Sequence, residues 1–477
     1  MKKRSLKLIA VPVALSFVAA ACGSDDDGAA EDTPNTEVES EEPAEEEAPA
    51  EEEAEEEAPA EEDTPPPVVV ERTGDEIIVT GPERDESEAG ALQQVLGAWG
   101  DENGVEVTYL GDADWEANIN VQVEGGNPPD ISIFPQPGKL ADFARAGSIV
   151  PLADDAVAAT TENWSEAFNS FANVDGVQYG VPVKADLKSL VWYQPARFEA
   201  DGYTVPTTFD EFTALVDEIT AAGGTKALCV GIESGQATGW TFTDWVEDMV
   251  LRQHGADVYD QWVNHEIPFN DPQIVESMQT VLDLFSEDNV YANSGTIAAT
   301  AFQDNGQPLV DGDCYMHRQA SFYSAFIPEG TAFADGSEGA VDVFYFPDIN
   351  GDAPVLGAGT FASAFNDRPE VHELLAYMSS PDYAEARQVA QQELKGGGDA
   401  LSGFLSAAIG QDPSVYQPLE QSFLDILASA EIVRFDASDL MPADVGAGSF
   451  WTEGTAAVNG DKTAQEAADA IEASWPS

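Results

Sequence analysis

Residues 76–110 run EIIVTGPERDESEAGALQQVLGAWGDENGVEVTYL, and this stretch predicts a strand, a helix and a second strand in succession. Glu76–Thr80 and Val105–Tyr109 are short runs rich in β-branched residues, which are typical of strands. Between them, four large apolar residues recur at the spacing of one helix face. These are Leu92, Val95, Leu96 and Trp99. Strands that alternate with helices favour a parallel α/β architecture.

The same alternation continues along the chain. Thr208 and Glu211 form a capping box at the start of one helix, and Asp271 with Pro272 starts another. Further strands are predicted at Ile131–Phe134, Ala227–Ile232 and Val341–Phe346. The pattern fills both halves of a body that is too long for one ordinary core, so we expect an α/β protein with two lobes.

The composition excludes several classes of function. The 477 residues include 89 acids and only 19 Lys and Arg, for a net charge of -70, whereas nucleic-acid binding needs a basic patch. Three Cys exclude a disulfide-dense scaffold or a Cys-based zinc cluster, and the four His show no metal spacing. We therefore expect no nucleic-acid partner, no cofactor and no metal.

The N-terminus predicts export. Basic residues precede the apolar stretch Leu8–Ala21, which is short for a membrane span and ends in small residues, as in a signal peptide covering residues 1–21. Cys22 follows three alanines and precedes Gly23, which resembles the lipobox of bacterial lipoproteins, although Ala19 replaces the usual large aliphatic residue. Lipidation of Cys22 would hold the protein on the outer face of the cytoplasmic membrane, at the cell surface or in the periplasm. Ordinary cleavage with a free Cys22 is the alternative.

Residues 22–73 predict an acidic, disordered tether. Residues 22–71 contain 22 acids and no Lys or Arg, and prolines interrupt the Glu runs. Such a segment cannot bury enough apolar surface to offset the entropy of ordering it. Its simplest use is to hold the globular body away from a membrane.

Several segments, in order along residues 75–477, resemble one family. The ones that carry the resemblance are Gly126–Ile131, Asp175–Pro182, Pro206–Phe212, Phe435–Pro442 and Phe450–Trp451. They are similar to the extracellular solute-binding proteins of carbohydrate ABC transporters, of the maltose-binding type, and most resemble the alpha-glucoside-binding branch. The set in this order is specific, whereas any one motif alone is weak.

The resemblance implies a two-lobed periplasmic-binding-protein fold, the Venus flytrap. The N-terminal lobe would be residues 74–190 plus 357–400, and the C-terminal lobe residues 191–356 plus 401–477, with crossings near Leu190, Gly357 and Gly403. The implied function is a substrate-binding lipoprotein, not an enzyme, that captures an alpha-glucoside or related oligosaccharide in the cleft. Its partners would be this ligand, the permease subunits of an ABC importer and, through the lipid anchor only, the membrane. A monomer is expected.

Polar residues follow each of the first three predicted strands. They are Glu83 and Arg84, then Asp112, then Gln136. In parallel sheets ligands approach the carboxyl ends of strands, and the maltose-binding type places polar contacts after the first strand. A sugar needs fixed donors and acceptors for its hydroxyl rim, so we expect these four side chains to bind ligand. The alternative for each is a solvated loop residue.

The second lobe offers four candidates. Glu233 follows a predicted strand, and Trp240 lies in a glycine-rich loop. Arg318 stands where relatives often carry Trp, which favours hydrogen bonding over stacking. Trp451 aligns with a sugar-stacking Trp of the maltose-binding type; core packing is its alternative.

Lys184 precedes the crossover strand and is expected to reach the cleft, with an ion pair to Asp186 as its alternative. Cys229 and Cys314 remain once Cys22 is set aside, and outside the cytoplasm two such thiols predict a disulfide that holds the neighbouring loops in register. Two separate buried thiols are the alternative. Asp436 is left open between the site and a pair with Arg434.

Enzyme signatures are missing from the sequence: there is no nucleophile elbow, phosphate loop or dinucleotide fingerprint. A secreted glycoside hydrolase needs only two carboxylates, which so acidic a chain does not exclude. A surface adhesin, or a binding protein for trehalose, a polyol or another small solute, also stays open.

Overall fold

The computed structural model describes residues 76–476. The predicted signal peptide, Cys22 and the tether at 22–73 lie outside these residues. Within the described part, none of the helices combines the length and hydropathy needed to cross a bilayer.

Strands and helices alternate along most of the chain. The strands are β1 (Glu76–Gly81), β2 (Glu106–Gly111), β3 (Ile131–Phe134), β4 (Asn173–Val174), β5 (Val177–Gln178), β6 (Gly180–Leu187), β7 (Leu190–Tyr193), β8 (Lys226–Cys229), β9 (Val290–Tyr291), β10 (Cys314–Gln319), β11 (Asp342–Tyr345), β12 (Val355–Ala364) and β13 (Val433–Phe435). The helices are α1 (Glu86–Asn103), α2 (Trp115–Glu124), α3 (Pro137–Arg145), α4 (Asp154–Asn163), α5 (Glu166–Ser170), α6 (Pro195–Asp201), α7 (Phe209–Ala222), α8 (Trp240–His254), α9 (Ala256–Val263), α10 (Pro272–Leu284), α11 (Gly306–Asp311), α12 (Pro369–Met378), α13 (Pro381–Leu394), α14 (Pro418–Ser429), α15 (Ala437–Leu440), α16 (Phe450–Val458) and α17 (Ala464–Ala473).

The first sheet contains six strands. Its order is β13-β12-β3-β1-β2, and β6 pairs with the other edge of β12. β1 runs parallel to β2 and β3, as the N-terminal alternation predicts, whereas β12 is antiparallel to β3 and β6. Its core includes Ile77, Val79, Leu92 and Ile131, all fully buried.

The second sheet contains five strands in the order β11-β7-β10-β8-β9. β8 is parallel to β9 and β10, and β7 is antiparallel to β10 and β11. Helices α7, α8 and α10 contribute Phe212, Met249 and Met278 to its core, which also includes Ile471 from the C-terminal helix α17. The chain therefore forms two α/β lobes, each built on its own sheet.

The helix starts that were predicted from capping residues are correct. The Thr208 side chain caps α7 in a box with Glu211, and Asp271 caps α10. The strand predicted over Ala227–Ile232 was too long. β8 ends at Cys229 because the following backbone leaves the sheet to bond a facing loop, where the Ile232 N–H donates to the Ile297 carbonyl.

The chain passes between the sheets at two places. The first is the step from β6 to β7 at Lys188–Ser189, and the second lies between β11 and β12; after α13 and α14 the chain returns to the first sheet in β13. At the first step Ser189 adopts a φ of 69°, in the left-handed region. Gly359 in β12 is required by close packing, because a Cβ there would lie 2.5 Å from the Lys184 carbonyl oxygen.

Candidate functional site

A cavity of about 500 Å³ lies between the two sheets. From the first lobe it is lined by the loop after β1, the start of α2 and the end of β3. From the second lobe it is lined by α8, by aromatic residues before and after β10, and by the segment from Asp436 to Trp451. The carboxyl ends of β1 and β3 therefore open into it, where the parallel sheet predicts a ligand.

Alternate residues along the crossing strand form the cavity floor. Lys184, Asp186 and Lys188 lie on one face of β6 and its continuation because successive side chains of a strand point to opposite sides. The Lys184 Nζ lies 3.3 Å from Glu83 Oε1, 3.7 Å from Asp186 Oδ1 and 3.8 Å from Glu88 Oε1. We call these residues, together with Arg387, the Lys184 cluster.

In the Lys184 cluster, Arg387 donates to the other oxygen of Glu83, at 3.3 Å. Burial alone raises the pKa of Glu83, but the positive charges of Arg387 and Lys184 outweigh it and hold that pKa below its ordinary value. Burial disfavours the charge on Lys184 as well, yet the carboxylates around it raise its pKa. Glu83 and Lys184 are therefore both charged at neutral pH.

A second cluster surrounds the other end of the floor. The Lys188 Nζ donates to Asp244 Oδ1 at 2.7 Å and to Asp436 Oδ2 at 2.8 Å. Glu247 and Asp439 lie close enough to raise the pKa of Lys188 through their charges. We call Lys188 and the four acids Asp244, Glu247, Asp436 and Asp439 the Lys188 cluster. Burial raises the pKa of Asp244 to about 7, whereas Asp436, despite its burial, is held at a pKa of about 2 by Lys188. Lys188 thus keeps Asp436 ionised, while burial favours protonation of Asp244.

Part of the Lys188 cluster has the spacing of a metal site. Oxygens of Asp244, Glu247 and Asp436 lie within 4.8 Å of one another. Both oxygens of Glu247 already accept backbone N–H groups, from Ala437 and Ser438, and Lys188 joins the two aspartates. The arrangement fits the ammonium of Lys188 better than an added metal ion.

Aromatic side chains form the apolar walls. Trp240 meets Phe302 edge to face at a centroid distance of 5.0 Å, and the Arg84 guanidinium lies 6.0 Å from the Phe302 ring centre. Trp451 lines the cavity and is only 3% exposed. The site therefore combines flat apolar faces with many fixed hydrogen-bonding groups.

Most of the residues chosen from sequence meet at this cavity. Those that line it are Glu83, Arg84, Gln136, Lys184, Trp240 and Trp451. Trp240 is the first residue of α8, not a loop residue. Lys184 both reaches the cavity and makes the ion pair with Asp186 that was its alternative.

Asp112 and Glu233 do not line the cavity, and ligand binding by either residue stays a prediction. The Asp112 carboxylate accepts from the Asp114 N–H at 2.9 Å and from Asn118 Nδ2 at 2.6 Å, so it shapes the start of α2. Glu233 Oε1 accepts from the Gly235 N–H at 2.7 Å and stabilises the turn before α8. The oxygens of both side chains are therefore engaged by neighbouring residues of their own loops.

Arg318 lies apart from the cavity as well, and its position relative to the strand differs from the prediction. It lies within β10, not after it, and is buried behind α8, outside the cavity lining. Its Nη2 donates to Asp248 Oδ2 and to the Asp244 carbonyl, both at 3.0 Å, and its guanidinium lies 5.2 Å from the Trp245 ring centre. Arg318 therefore supports the helix that carries Asp244.

Sequence reasoning missed Lys188 and Asp244 as site residues. The spacing of Lys188 two and four residues after Asp186 and Lys184 was a usable signal, because a strand places all three on one face. Asp244 had no comparable signal, since its partner is 56 positions away. Asp436 was left open, and the structure pairs it with Lys188, while Arg434 bonds Asp260 instead.

Cys229 and Cys314 form a disulfide between the neighbouring strands β8 and β10, with Cα atoms 5.5 Å apart. Both residues are fully buried in a cluster against which Trp240 packs. The bridge therefore lies behind the aromatic wall of the cavity.

Comparison with known proteins gives a consistent result. A family model described as bacterial extracellular solute-binding protein matches residues 85–385. The osmoprotective compounds-binding protein of Synechocystis sp. is 38% identical over 81% of this chain and 89% of its own length. The alpha-glucosides-binding periplasmic protein of Rhizobium meliloti is 35% identical over 85% of this chain and 88% of its own.

Solved structures share the fold. A bacterial solute receptor described as preferring β-D-galactopyranose superposes with a TM-score of 0.70 at 17% identity, over 83% of this chain and 97% of that one. A maltose-bound protein of T. maritima gives a TM-score of 0.63 at 17% identity, over 83% and 98%. The predicted two-lobed α/β fold is thereby confirmed.

Proposed function

The chain belongs to the bacterial extracellular solute-binding proteins, and on that premise we propose that it is the substrate-binding component of an ABC importer that captures an alpha-glucoside or a related oligosaccharide. The relative from Rhizobium meliloti, which is named for binding alpha-glucosides and matches most of this chain, supports this ligand class. The protein would deliver the ligand unchanged to the permease, so binding and release are its whole task. The matching family and relatives are named as binding proteins, which supports a binding role for this chain.

The cavity is the observation that carries the proposal. Its volume of about 500 Å³ is that of a small-ligand site. Trp240 and Trp451 offer apolar faces, and the floor of Lys184, Asp186 and Lys188 offers donors and acceptors in a fixed row. A saccharide presents the matching surfaces, since its ring faces are apolar and its rim carries hydroxyls.

Capture would depend on closure of the lobes. Among the hydrogen bonds that join them near the cavity, the Gln236 N–H donates to Asp114 Oδ1 at 3.2 Å, and the Ala443 N–H donates to Asp142 Oδ2 at 3.0 Å. We place the lobes at residues 74–190 plus 357–400 and 191–356 plus 401–477. A ligand drives closure only if it contacts the closed state better than the open one, and closure creates the surface that a permease recognises.

The remaining parts of the proposal concern location. Signal cleavage and lipidation at Cys22 would anchor a monomer to the outer face of the cytoplasmic membrane, with residues 22–73 as its tether. Labelling with a radioactive fatty acid, compared between the native chain and Cys22→Ala, measures the anchor directly.

Binding is tested with the chain lacking its signal peptide. Maltose, sucrose, trehalose, a β-glucoside and glycerol are titrated while tryptophan fluorescence and the melting temperature are followed. A ligand that binds the folded state raises the melting temperature, and we expect a micromolar response to at least one alpha-glucoside. The absence of a fluorescence or melting response to every sugar would refute the ligand class. Recovery of cleaved sugar would indicate a glycoside hydrolase.

A further inference from the structure

The cavity lining contains buried polar atoms that have no hydrogen bond, and most of them are acceptors. The acceptors are Asp85 Oδ2, Gln136 Oε1, Asp186 Oδ1, Asp244 Oδ2 and Gln303 Oε1, and the donor is Trp451 Nε1. A buried polar atom without a partner costs free energy, so a ligand that supplies the missing partners gains affinity. The three carboxylates among them accept when ionised, whichever way they rotate.

The charged side chains of the lining also favour a ligand that donates hydrogen bonds. Eight carboxyl side chains and three cationic side chains face the cavity. Two of the cations, Lys184 and Lys188, are already held by carboxylates at 3.3 Å and 2.7 Å. Arg84 lies over the Phe302 ring instead. Of the eight carboxyls, Glu83, Asp85 and Asp436 have pKa values held below their ordinary range, so an anionic group on a ligand would face these ionised carboxylates.

We propose that the cavity selects saccharides by charge: it accepts neutral glycosides, prefers glycosides that carry an ammonium group, and excludes phosphorylated or uronic ones. A hydroxyl both donates and accepts, so a neutral sugar can satisfy the free oxygens. An ammonium only donates, and its bonds to carboxylates are shorter and stronger than neutral ones. A phosphate or carboxylate only accepts, and it would leave the free oxygens Asp85 Oδ2 and Asp186 Oδ1 without a hydrogen-bond donor. This inference rests on the proposed saccharide function and names its ligand class.

Calorimetric titration of the chain without its signal peptide tests this order of ligand affinities. Trehalose and maltose are each compared as the neutral sugar, the 6-amino-6-deoxy derivative and the 6-phosphate. We expect the amine to bind about tenfold more tightly than the neutral parent, because charge-assisted bonds replace neutral ones. We expect the phosphate to bind at least about a hundredfold more weakly, because like charges would be brought together.

The outcomes separate this inference from the proposed function. A phosphate that binds within tenfold of its neutral parent, or an amine that binds more weakly than the parent, overturns charge selection and leaves saccharide binding intact. Failure of all six sugars overturns both. An amine that binds where no neutral sugar does supports charge selection and overturns the neutral ligand class.

Substitutions test whether the carboxyl groups that line the cavity cause this selection by charge. Asp244→Asn and Asp186→Asn should reduce the advantage of the amine to less than threefold, whereas Asp101→Asn on the exposed face of α1 should leave it unchanged. Should both cavity variants lose the fold, salt titration of the native chain decides. Because the lining carboxylates are buried, the affinities of the amine and the phosphate relative to the neutral parent should change little with ionic strength, and a difference that disappears at high salt would place the selection on the exposed surface and contradict the proposal.

Discussion

The Lys184 and Lys188 clusters lie at the two ends of the cavity floor and differ in how their charges balance. In the Lys184 cluster two cations, Lys184 and Arg387, face three acids. In the Lys188 cluster one lysine faces four acids. Arg318 acts on that cluster only from behind α8, through the Asp244 carbonyl.

The difference shows which of several buried carboxyl groups a single cation keeps ionised. In the Lys188 cluster the pKa of Asp436 is held at about 2, while burial and the neighbouring acids raise those of Glu247 and Asp439 well above their ordinary values. Burial raises the pKa of Glu88 in the first cluster too, but there Glu83 is held low by two cations. The charge balance of the Lys188 cluster therefore depends on Lys188, whereas in the Lys184 cluster Arg387 provides a second cation.

Removal of each lysine should expose this contrast most strongly. Lys188→Met leaves Asp244 and Asp436 buried without a cation, and we expect the free energy of unfolding to fall by about 3–5 kcal/mol. Lys184→Met should lose less, because Arg387 still pairs Glu83. Urea unfolding measures both, with Lys226→Met as control because that ammonium contacts only exposed carbonyls. Equal losses at 184 and 188 would contradict the comparison.

The pH dependence of stability should follow Asp244. Its pKa rises from 3.8 to about 7 in the folded state, so the folded protein holds a proton that the unfolded chain has already released. This contribution to the free energy of unfolding is complete below pH 3.8 and is lost as pH rises to about 7, on the order of 2–4 kcal/mol. The charged groups around Asp244 are Lys188, Asp436, Glu247, Asp439 and Arg318.

Asp244→Asn should flatten the stability profile in this window, and melting at a series of pH values measures it. The low pKa of Asp436 acts in a different window, below pH 3.8, where its stabilising effect is lost as pH falls toward 2. An unchanged slope between pH 4 and 7 in Asp244→Asn would show that another group carries the effect.

Each lysine also lies over an aromatic ring, which permits a matched test of ligand binding. Lys188 Nζ is 5.4 Å from the Trp240 ring centre, and Lys184 Nζ is 5.3 Å from that of Phe322. Trp has the larger face and the stronger attraction for a cation, so Trp240→Leu should weaken saccharide binding by about thirtyfold and Phe322→Leu by only a few fold. Fluorescence titration gives both values, and the reverse order would place the main stacking surface beside Lys184.

The smallest effect is expected outside both clusters. Asp112→Ala removes the carboxylate that bonds the start of α2, and we expect a loss of about 1 kcal/mol in the free energy of unfolding. Saccharide affinity should stay within twofold of the native value, because Asp112 does not line the cavity. A tenfold loss of affinity in this variant would return Asp112 to the binding site.

Part of the site was predictable because local rules place it. Glu83, Arg84 and Gln136 follow strands of a parallel sheet, and such loops gather at one edge whatever the rest of the chain does. Arg318 was misplaced for the opposite reason. Whether a residue faces a cavity or a helix behind it depends on the limits of its strand, and β10 extends through Gln319.

The sequence alone determined the alternation of strands and helices, the capped starts of α7 and α10, and the row of charges along β6, because these depend on neighbours a few residues apart. Tertiary structure decided which charges meet. Lys188 lies 56 residues from Asp244 and 248 from Asp436, and only the crossing of the chain between the two sheets brings them within 2.8 Å. Burial then sets their pKa values, since desolvation acts on a group only after the surrounding fold has removed its water.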